Sequence, residues 1–362
     1  MAIKLSDHII IKRGSRPNPL SKYEVYDLNS NNNAIPYPIQ SDINKNSLML
    51  NKYKKMFKIN LGFKFEPAIK GDLLLSSSCD IGNVVILDLE KAFIDDKFFN
   101  IKTSPNLSKK YLQYWLLKNK KEISELGYGT TFKVLYLEPF KKYIDKIFLP
   151  NLEEQQQIIN IIEPFERLKN KINNIMEYLK MITLIQINNF NLPTDTSLKI
   201  FNNIQGYSFK SSDFKNKGQY KIFKISNILN NNEKNFSYTD NIVLKHLLKC
   251  GDVVTGLSGT IGTSCVIYEN NMYILNQRLL AINSNIPLLI KMLIEKNKKI
   301  LEQSSTGSVQ KNITKNDILN IKLNSKLINK FNELISKLYI LNLKISNVID
   351  VIINNLVNLY II

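Results

Sequence analysis

The stretch Gly71-Asp72-Leu73-Leu74-Leu75-Ser76-Ser77-Ser78-Cys79-Asp80-Ile81-Gly82 appears a second time, without a gap, as Gly251-Asp252-Val253-Val254-Thr255-Gly256-Leu257-Ser258-Gly259-Thr260-Ile261-Gly262. The two blocks start 180 residues apart in a chain of 362 residues. Each block runs from an apolar segment into a polar, glycine-containing segment, and β-branched residues follow, which is typical of a strand, a tight turn and a second strand. The repeat therefore predicts a chain built from two equivalent units.

The match continues on both sides of these blocks. Upstream, Ile11-Lys12-Arg13-Gly14-Ser15-Arg16-Pro17 stands where the second copy has Ile204-Gln205-Gly206-Tyr207-Ser208-Phe209-Lys210. Downstream, each copy has a predicted short helix, over 109–121 and 287–301, and then a loop that runs from a glycine to a lysine, over 129–133 and 307–311. The stretches 18–65 and 211–247 match least. This distribution indicates one shared frame with two variable surfaces.

Each copy ends in a predicted helix with apolar residues spaced alternately four and three apart, which is the signature of a coiled coil. The first set is Ile161, Phe165, Leu168, Ile172, Ile175, Leu179 and Ile182, and the second is Leu334, Leu338, Leu341, Ile345, Val348 and Ile352. Either helix alone could instead be the core helix of a domain. Because both close a repeat, we expect them to pair antiparallel with Ile172 and Ile345 near the centre, and we expect Pro164 to kink the first helix or start a new segment.

The composition favours a soluble, basic, multidomain protein. Lysine and arginine number 49 against 31 acidic residues, which gives a net charge of +18 and favours a polyanionic partner, nucleic acid before a membrane surface. The alternative is genome bias, because Lys, Asn and Ile dominate the sequence. The length predicts two domains or more.

Nothing in the sequence predicts export or membrane insertion. The three cysteines form no CxxC pair and are expected to be reduced. The first fifteen residues carry spaced charges, unlike a signal peptide. The apolar C-terminal run is broken by several asparagines, so an amphipathic helix is expected there in place of a membrane span.

Several of these segments resemble the specificity subunit of type I restriction-modification systems. Leu149-Pro150-Asn151-Leu152-Glu153-Glu154-Gln155-Gln156-Gln157-Ile158 is similar to the LPPLxEQxxI start of that family's conserved helix. The loops at Gly129 and Gly307 resemble its GS/T-x-x-K segment. Gly206-Tyr207-Ser208-Phe209-Lys210 with Asp213-Phe214 resembles the GxxFK…DF start of a target-recognition domain, and Tyr273-Ile274-Leu275-Asn276-Gln277-Arg278 resembles its Asn-Gln strand. The resemblance spans nearly the whole chain.

The resemblance implies an α+β fold with a pseudo-twofold internal repeat. Two globular α/β target-recognition domains, 1–150 and 192–323, would be joined by two long antiparallel coiled-coil helices, 151–191 and 324–362. Each globular domain would read one half of a split double-stranded DNA sequence, and the helices would hold two methyltransferase subunits, with restriction and translocase subunits joining them. The chain would be a non-catalytic cytoplasmic subunit with no cofactor of its own, because S-adenosylmethionine, ATP and Mg²⁺ belong to the partner subunits.

Two segments depart from the family pattern. The second helix starts with Asn324-Ser325-Lys326-Leu327, which has neither the proline nor the Glu-Glu-Gln of the first. In the first copy Asp96-Lys97 stands where the second copy has Asn276-Gln277, which argues against a DNA role for that strand.

The helices have a length suited to spacing two DNA-reading domains. From Ile161 to Ile182 is 21 residues, which corresponds to about 32 Å of helix. One turn of B-DNA is about 34 Å. A ruler of this length would place two readers in successive major grooves, and one added heptad would lengthen it by about 10 Å.

Polar residues of the turns and loops are the candidates for DNA contacts. They are Arg13, Arg16, Thr131, Lys133, Tyr207, Lys210, Asn276, Gln277, Arg278, Gln310 and Lys311. For each of them the alternative is a solvated surface residue, but Lys133 and Lys311 are favoured because they recur 178 residues apart in the two copies. Gly82 and Gly262 are expected to form turns and not to touch DNA.

Motifs for catalysis are missing from the sequence. It has no Asn/Asp-Pro-Pro-Tyr/Phe methyltransferase site, its glycines lack the spacing of a nucleotide-binding loop, and two histidines leave little room for a metal site or a Ser-His triad. An acidic cluster of Asp80, Asp88 and Glu90 with Lys91 is not repeated in the second copy. The alternatives to a specificity subunit are an orphan DNA-binding or scaffold protein derived from one and, less favoured, a stand-alone DNA nuclease.

Overall fold

The computed structural model describes residues 2–26, 33–43, 48–59, 61–129, 133–189, 194–229, 236–240, 244–306, 311–330 and 333–361. The chain divides into two compact units, unit 1 with Met1–Glu166 and Val351–Ile362, and unit 2 with Arg167–Asp350. This division differs from the four-part prediction, because the two long helices contribute core residues to both units and do not form separate domains.

The helices of the described residues include two that are much longer than the rest. They are α1 (Lys109–Lys118), α2 (Lys120–Glu125), α3 (Leu137–Ile144), α4 (Leu152–Asn189), α5 (Ile225–Leu229), α6 (Pro287–Lys296), α7 (Lys298–Gln303), α8 (Lys315–Leu319), α9 (Ser325–Lys330) and α10 (Glu333–Tyr360). The predicted short helices 109–121 and 287–301 are each broken into two by an asparagine that ends the first segment, Asn119 and Asn297.

The strands of the described residues fall into small antiparallel or mixed sheets. Those of unit 1 are β1 (Ile3–Lys4), β2 (Ile9–Arg13), β3 (Glu24–Val25), β4 (Ala34–Tyr37), β5 (Met49–Leu50), β6 (Lys55–Lys58), β7 (Ala68–Ile69), β8 (Leu73–Ser76), β9 (Val84–Leu87), β10 (Lys91–Ala92), β11 (Phe98–Thr103) and β12 (Phe148–Leu149). Those of unit 2 are β13 (Thr196–Ser197), β14 (Asn202–Gln205), β15 (Tyr220–Phe223), β16 (Ser237–Thr239), β17 (Val253–Gly256), β18 (Ser264–Val266), β19 (Tyr273–Leu275), β20 (Leu279–Asn283) and β21 (Lys322–Leu323).

The central sheets of the two units share the order of their first four strands, and the sheet of unit 1 has β5 as a fifth strand. In unit 1 the order is β2-β11-β8-β9-β5, and in unit 2 it is β14-β20-β17-β18. The register agrees as well, because Phe98 lies opposite Ser76 in unit 1 and Leu279 lies opposite Gly256 in unit 2. The predicted internal repeat is therefore a repeat of structure.

The apolar runs of the glycine blocks form strands that are buried on both faces. Leu73 and Leu75 pack in one core cluster with helix α1, whereas Leu74 belongs to a second cluster on the other side of the sheet. Val253 and Val254 divide between two clusters of unit 2 in the same way. A strand covered on both sides has a continuous apolar sequence in place of an alternating one.

Helix α4 is one continuous element of 38 residues that runs through Pro164, so the expectation that this proline starts a new segment is wrong. Within unit 2, Lys169 forms an ion pair with Asp350. Further along α4, Leu184 and Ile187 share a core cluster with residues near the start of α10, including Tyr339. Contacts in this reversed order show that the two helices run antiparallel, as predicted.

The buried side of each long helix differs from the predicted heptads at most positions, often by one residue. In α4, the buried residues are Gln155, Ile159, Ile162, Glu166, Ile172, Leu179, Thr183 and Ile187. In α10 they are Ser336, Tyr339, Asn342 and Ile349. Of the predicted pairing residues, Ile172 and Leu179 are buried, and Phe165 and Ile352 are half-buried.

The other predicted pairing residues lie outside this seam, and their assignment to it is wrong. Ile161, Leu168, Ile175 and Ile182 are 39–46% exposed, and Leu334, Leu338, Leu341, Ile345 and Val348 are 37–56% exposed. We call these nine residues the exposed stripe. We call the buried side of the two long helices the seam. The sequence did not predict it because it contains polar residues, among them Glu166, which pairs with Lys110 at 2.5 Å, and Asn342, which donates to the Leu338 carbonyl.

Helix α10 is long and apolar enough to cross a membrane by length and composition, with a window of mean hydropathy 1.4. The sequence-based expectation that no such segment exists is corrected on this point. A single helix of this kind is a weak indication of a membrane protein, since core helices meet the same criterion. Here Tyr339 and Ile349 of the helix are buried.

Helices α4 and α9 start with different caps. At α4, the Asn151 side chain accepts from the Glu154 N–H and the Glu154 side chain accepts from the Asn151 N–H, which is a reciprocal capping arrangement. Gln155 of the Glu-Glu-Gln motif accepts from the Ser108 N–H at 2.9 Å and so joins α4 to the start of α1. At α9, Asp195 accepts from the N–H and the hydroxyl of Ser325, and these bonds lower the pKa of Asp195. The degenerate start thus has a cap from outside the helix.

Candidate nucleic-acid interface

The Gly-Asp pair that opens each repeated block forms a tight turn. Gly71 and Gly251 have φ values of +87° and +95°, a region that favours glycine. The Asp72 side chain accepts from the Ile69 N–H at 3.1 Å, and the Asp252 side chain accepts from the Lys249 N–H at 2.8 Å. The motif is therefore structural, and it sets the direction in which the following strand reaches the loops.

The glycine that closes each block forms a second turn, as predicted. Gly82 and Gly262 have φ values of +89° and +70°, and a Cβ at these positions would lie 2.8 Å from Lys120 or Lys298. The close approach is made to the junction of two short helices, α1 with α2 and α6 with α7. These glycines position the block against the helices.

We call the turn that follows β2 in unit 1 and β14 in unit 2 the opening turn. It passes very close to the segment before β11 in unit 1 and to the segment before β20 in unit 2. The N–H of Gly14 donates to Phe98 O and that of Gly206 donates to Leu279 O, both at 2.9 Å. A Cβ on Gly14 would lie 2.0 Å from Asp95 O, and one on Gly206 would lie 1.7 Å from Asn276 O. Only glycine fits at either crossing.

The residues on either side of the glycine-to-lysine loop of each unit pair through two backbone hydrogen bonds, and we call this paired segment the hairpin. Tyr128 and Val134 exchange both bonds at 2.9–3.0 Å in unit 1, and Thr306 and Asn312 exchange both at 2.8–3.0 Å in unit 2. The hairpin then joins the glycine block, because Leu135 N–H donates to Ser77 O at 2.7 Å. The equivalent bond in unit 2 runs from Ile313 to Leu257 O at 2.9 Å.

A third segment meets the glycine block at the same residue. Ser77 N–H donates to Lys97 O, and Leu257 N–H donates to Arg278 O, both at 2.8 Å. Ser77 and Leu257 thus join the hairpin to the segment that precedes β11 or β20. We call the joined group of opening turn, glycine block, hairpin and pre-strand segment the corner of each unit.

The corner corrects the sequence alignment of the pre-strand segment by one residue. Lys97 occupies the position of Arg278, and Asp96 that of Gln277, so both units carry a cation at this point. The doubt about a DNA role for this segment in the first copy rested on the wrong alignment. A signal was present in the sequence, since both cations precede two apolar residues, Phe98-Phe99 and Leu279-Leu280.

The predicted arginines of unit 1 gather around Asp96. Arg13 Nε donates to the Asp96 carbonyl at 2.9 Å, and an Arg16 guanidinium nitrogen lies 3.7 Å from the Asp96 carboxylate. In unit 2 the equivalent side chains are Ser208 and Gln277, and Ser208 Oγ donates to Gln277 Oε1 at 2.9 Å. Both pairs are at the solvent-facing side of the corner.

The lysines at the ends of the two hairpins occupy equivalent positions and are exposed. Lys133 is followed by Val134 and Lys311 by Asn312, the residues that close the hairpins. Thr131 and Gln310, also predicted as contacts, lie outside the described residues. The corner of each unit therefore carries two cations at equivalent positions, Lys97 with Lys133 and Arg278 with Lys311.

Three further candidates have local structural contacts. Tyr207 is half-buried, with its ring 4.9 Å from Phe209 and 5.5 Å from His246. Lys210 is exposed, and its N–H donates to the Asp213 side chain. Asn276 is half-buried beneath the opening turn and donates its N–H to Phe223 O. Of these, Lys210 presents its side chain to solvent.

A buried carboxyl supports the corner of unit 1. Asp95 is 2% exposed, and burial raises its pKa although the Tyr37 hydroxyl donates to it at 2.8 Å and the Lys97 N–H at 3.1 Å. Burial also raises the pKa of Tyr37. Asn276, a neutral amide, stands at the equivalent position in unit 2. The Asp95 carboxyl holds the backbone of Lys97 in place by accepting a hydrogen bond from its N–H.

The acidic residues noted from the sequence are paired with lysines. Asp80 contacts Lys120 at 2.7 Å, and Lys70 lies between Asp88 and Glu90 at 3.5 and 3.3 Å. Within the described residues, no group of three or more His, Cys, Asp or Glu side chains could hold a metal ion.

The fold and these corners define a class of protein with two equivalent basic surfaces on a duplicated α+β frame that includes two long helices. The chain belongs to the type I restriction modification DNA specificity domain family, whose model matches residues 4–178 and 198–325. The family resemblance seen in the sequence is thereby confirmed.

A relative that is described as a putative specificity subunit matches part of this chain. The putative type I restriction enzyme specificity subunit S.HindORF215P of Haemophilus influenzae is 37% identical over 113 residues, which cover 30% of this chain and 28% of that relative. The match therefore spans little more than a quarter of the relative's length.

Solved structures that resemble this chain include two S subunits. The S subunit of a type I restriction-modification system from M. genitalium aligns with 100% of this chain and 96% of its own, at a TM-score of 0.49 and 12% identity. The HsdS subunit from Thermoanaerobacter tengcongensis aligns with 99% of this chain and 94% of its own, at a TM-score of 0.36 and 15% identity.

Proposed function

We propose that this chain is the sequence-specific DNA-recognition subunit of a type I restriction-modification complex. Each unit reads one half of a bipartite double-stranded DNA site, and the long helices set the spacer and dock methyltransferase subunits. The chain itself catalyses no reaction; methylation, which uses S-adenosylmethionine, and ATP- and Mg²⁺-dependent restriction belong to the partner subunits. It works in the cytoplasm.

The observation that carries this proposal is the equivalence of the two corners. The same backbone hydrogen bonds hold the same four segments in both units, and cations stand at equivalent positions, Lys97 with Arg278 and Lys133 with Lys311. Cations placed by a rigid backbone frame supply the phosphate contacts that give DNA affinity and its salt dependence. Two such frames in one chain suit the two half-sites of one duplex.

The exposed stripe supports the docking of partner subunits. Large apolar side chains such as Leu334 and Val348 are 55% and 56% exposed, while the seam between the helices contains polar residues. A helix that buries one side and also exposes a stripe of large apolar residues has a second contact surface. We assign that surface to the methyltransferase subunits, with two copies bound as the duplication suggests.

The experiment is a binding assay with the full chain and a methyltransferase subunit from the same source genome. We expect the complex to retard duplexes from its own genome that carry the target, against an excess of random DNA. Equal competition by random DNA would contradict the proposal.

A second arm tests the docking surface. Ile175→Lys and Leu341→Lys should each abolish retention of the methyltransferase subunit without altering the melting temperature. Ile300→Lys, which changes a side chain that is 63% exposed on α7, is the matched control and should leave retention intact. If the control and the stripe variants behave alike, the stripe is not the docking surface.

A further inference from the structure

The two corners share a frame but differ in one pair of side chains that faces solvent. Residue 16 and residue 96 of unit 1 stand at the positions of residues 208 and 277 of unit 2, because their neighbours make equivalent hydrogen bonds. Ser15 N–H donates to Ile94 O at 3.2 Å, and Tyr207 N–H donates to Leu275 O at 2.9 Å. The pair is Arg16 with Asp96 in unit 1 and Ser208 with Gln277 in unit 2.

Both pairs are accessible to a macromolecular ligand. The side chains of Arg16 and Asp96 are 47% and 41% exposed, although Asp96 Oδ1 itself is buried without a hydrogen-bond partner, and Ser208 and Gln277 are exposed. The 3.7 Å separation between the Arg16 nitrogen and the Asp96 oxygen is too long for a direct hydrogen bond. Exposed ion pairs of this kind contribute little to stability, so the pair can rearrange on a ligand at low cost.

The chemistry of the two pairs matches different base pairs. Arginine donates to the O6 and N7 acceptors of guanine, and a carboxylate accepts from the N4 amino group of cytosine, so an arginine with an aspartate complements both edges of one G·C pair in the major groove. Glutamine complements the N6 and N7 atoms of adenine, and serine adapts to either partner. The equivalent cations carry no such difference and suit phosphates.

We propose that these pairs are specificity-determining residues: Arg16 with Asp96 selects a G·C base pair in the half-site of unit 1, and Ser208 with Gln277 selects an A·T base pair at the corresponding position in the half-site of unit 2. The inference rests on the proposed DNA recognition and refines it to one position in each half-site. Lys97, Lys133, Arg278 and Lys311 contact phosphates and do not discriminate between bases.

The test exchanges the pairs between units in the full chain, assembled with its methyltransferase subunit. The variants are Arg16→Ser with Asp96→Gln, and Ser208→Arg with Gln277→Asp. Each complex selects duplexes from a library randomised over the bipartite site. The matched control is Glu138→Gln with Lys141→Ser, which removes another exposed pair with an N–O distance of 3.7 Å, on helix α3.

The expected result is a change at one position of one half-site. The first variant should shift that position from G·C to A·T by about 5- to 150-fold, the reciprocal variant should shift the other half-site from A·T to G·C, and the control should select the wild-type sequence. Unchanged selection by both exchange variants, or a change in the wrong half-site, overturns the inference while leaving the proposed function standing. A wild-type complex that selects no sequence overturns both.

If thermal melting shows that an exchange variant is not folded, a second pair of variants tests the inference. Asp96→Asn removes the acceptor charge without changing shape, and Gln277→Glu adds one. We expect the first to weaken selection for the G·C pair and the second to move selection away from A·T. Unchanged selection by both would again overturn the inference.

Discussion

At the scale of single residues, the equivalent hairpin lysines should act through charge alone. Lys133→Ala and Lys311→Ala each remove one exposed cation beside a hairpin pair of backbone hydrogen bonds. We expect each variant to bind all DNA sequences more weakly by a similar factor. The slope of log affinity against log salt should fall by about 1 in each. Titrations over a range of salt concentrations measure it.

The control for these variants is Lys337→Ala, which removes a positive charge from a side chain of helix α10 that is 73% exposed. Its slope should stay close to that of the wild type. A loss of selectivity without a change of slope in the hairpin variants would mean that these lysines touch bases, contrary to the assignment.

The buried carboxyl of unit 1 should make stability depend on pH. The pKa of Asp95 is raised in the folded state, because burial disfavours its charged form. Its contribution to the free energy of unfolding is therefore complete below the unfolded pKa, about 4, and is lost as pH rises through the folded pKa. Asp95→Asn, which copies the Asn276 of unit 2, should lessen this loss and raise the melting temperature at neutral pH.

Thermal melting between acid and neutral pH tests this prediction. The difference between Asp95→Asn and wild type should shrink as the pH falls. Asp96→Asn, at the exposed neighbouring carboxylate, serves as the control and should show no comparable trend. A constant difference at all pH values would contradict the assignment of the effect to Asp95.

At the scale of elements, the two sides of helix α4 should differ in stability. Ile172 is 4% exposed and Ile175 is 46% exposed, although the predicted heptads treat them alike. We expect Ile172→Ala to lower the free energy of unfolding by about 2–4 kcal/mol, because it leaves a cavity at the helix seam. Ile175→Ala should cost less than about 1 kcal/mol in the isolated chain. Denaturant unfolding of both variants measures the two free energies of unfolding. Equal losses would mean that both residues are buried, as the predicted heptads require.

Much of the fold was accessible from the sequence because its turns depend on particular residue types. Gly71 and Gly82 adopt positive φ values, and Asp72 closes a turn through its side chain, so the repeated block could be recognised as strand, turn and strand. The antiparallel helix pair followed from apolar spacing. The helix register did not, because adjacent residues such as Ile161 and Ile162 both fit a 4-3 pattern and the buried one lies beside polar seam residues.

The site was only partly accessible from the sequence for a related reason. Residues that meet at the corner come from four segments, and backbone hydrogen bonds decide which positions are equivalent; the sequence marks this alignment only by the apolar pairs Phe98-Phe99 and Leu279-Leu280. Lys97 was therefore missed, and Asp96 was aligned with the wrong partner. The hairpin lysines were found because the glycines and the lysine of that loop recur in both copies.

At the scale of the whole molecule, two equivalent frames with different surfaces imply a target with two dissimilar halves. The corners share their backbone bonds, yet Arg16 and Asp96 are replaced by Ser208 and Gln277, and the variable stretches of the units match least. A duplicated frame with identical surfaces would read a palindrome, whereas dissimilar surfaces would read an asymmetric bipartite sequence. We therefore expect one asymmetric, gapped methylation motif in the source genome that depends on this chain.

Genome-wide mapping of methylated bases, with and without the gene for this chain, tests that expectation directly. Loss of one gapped motif with unlike halves is the expected outcome. Replacing the chain with its Gly206→Ala variant should remove methylation at the whole motif, because a Cβ 1.7 Å from Asn276 O disrupts the corner of unit 2 and leaves one half-site unread. Ser212→Ala is the control, since it makes a small change at an exposed residue of unit 2, and it should preserve the motif. A palindromic motif, or a methylation pattern that survives loss of the gene, would contradict the division of the site between two unlike units.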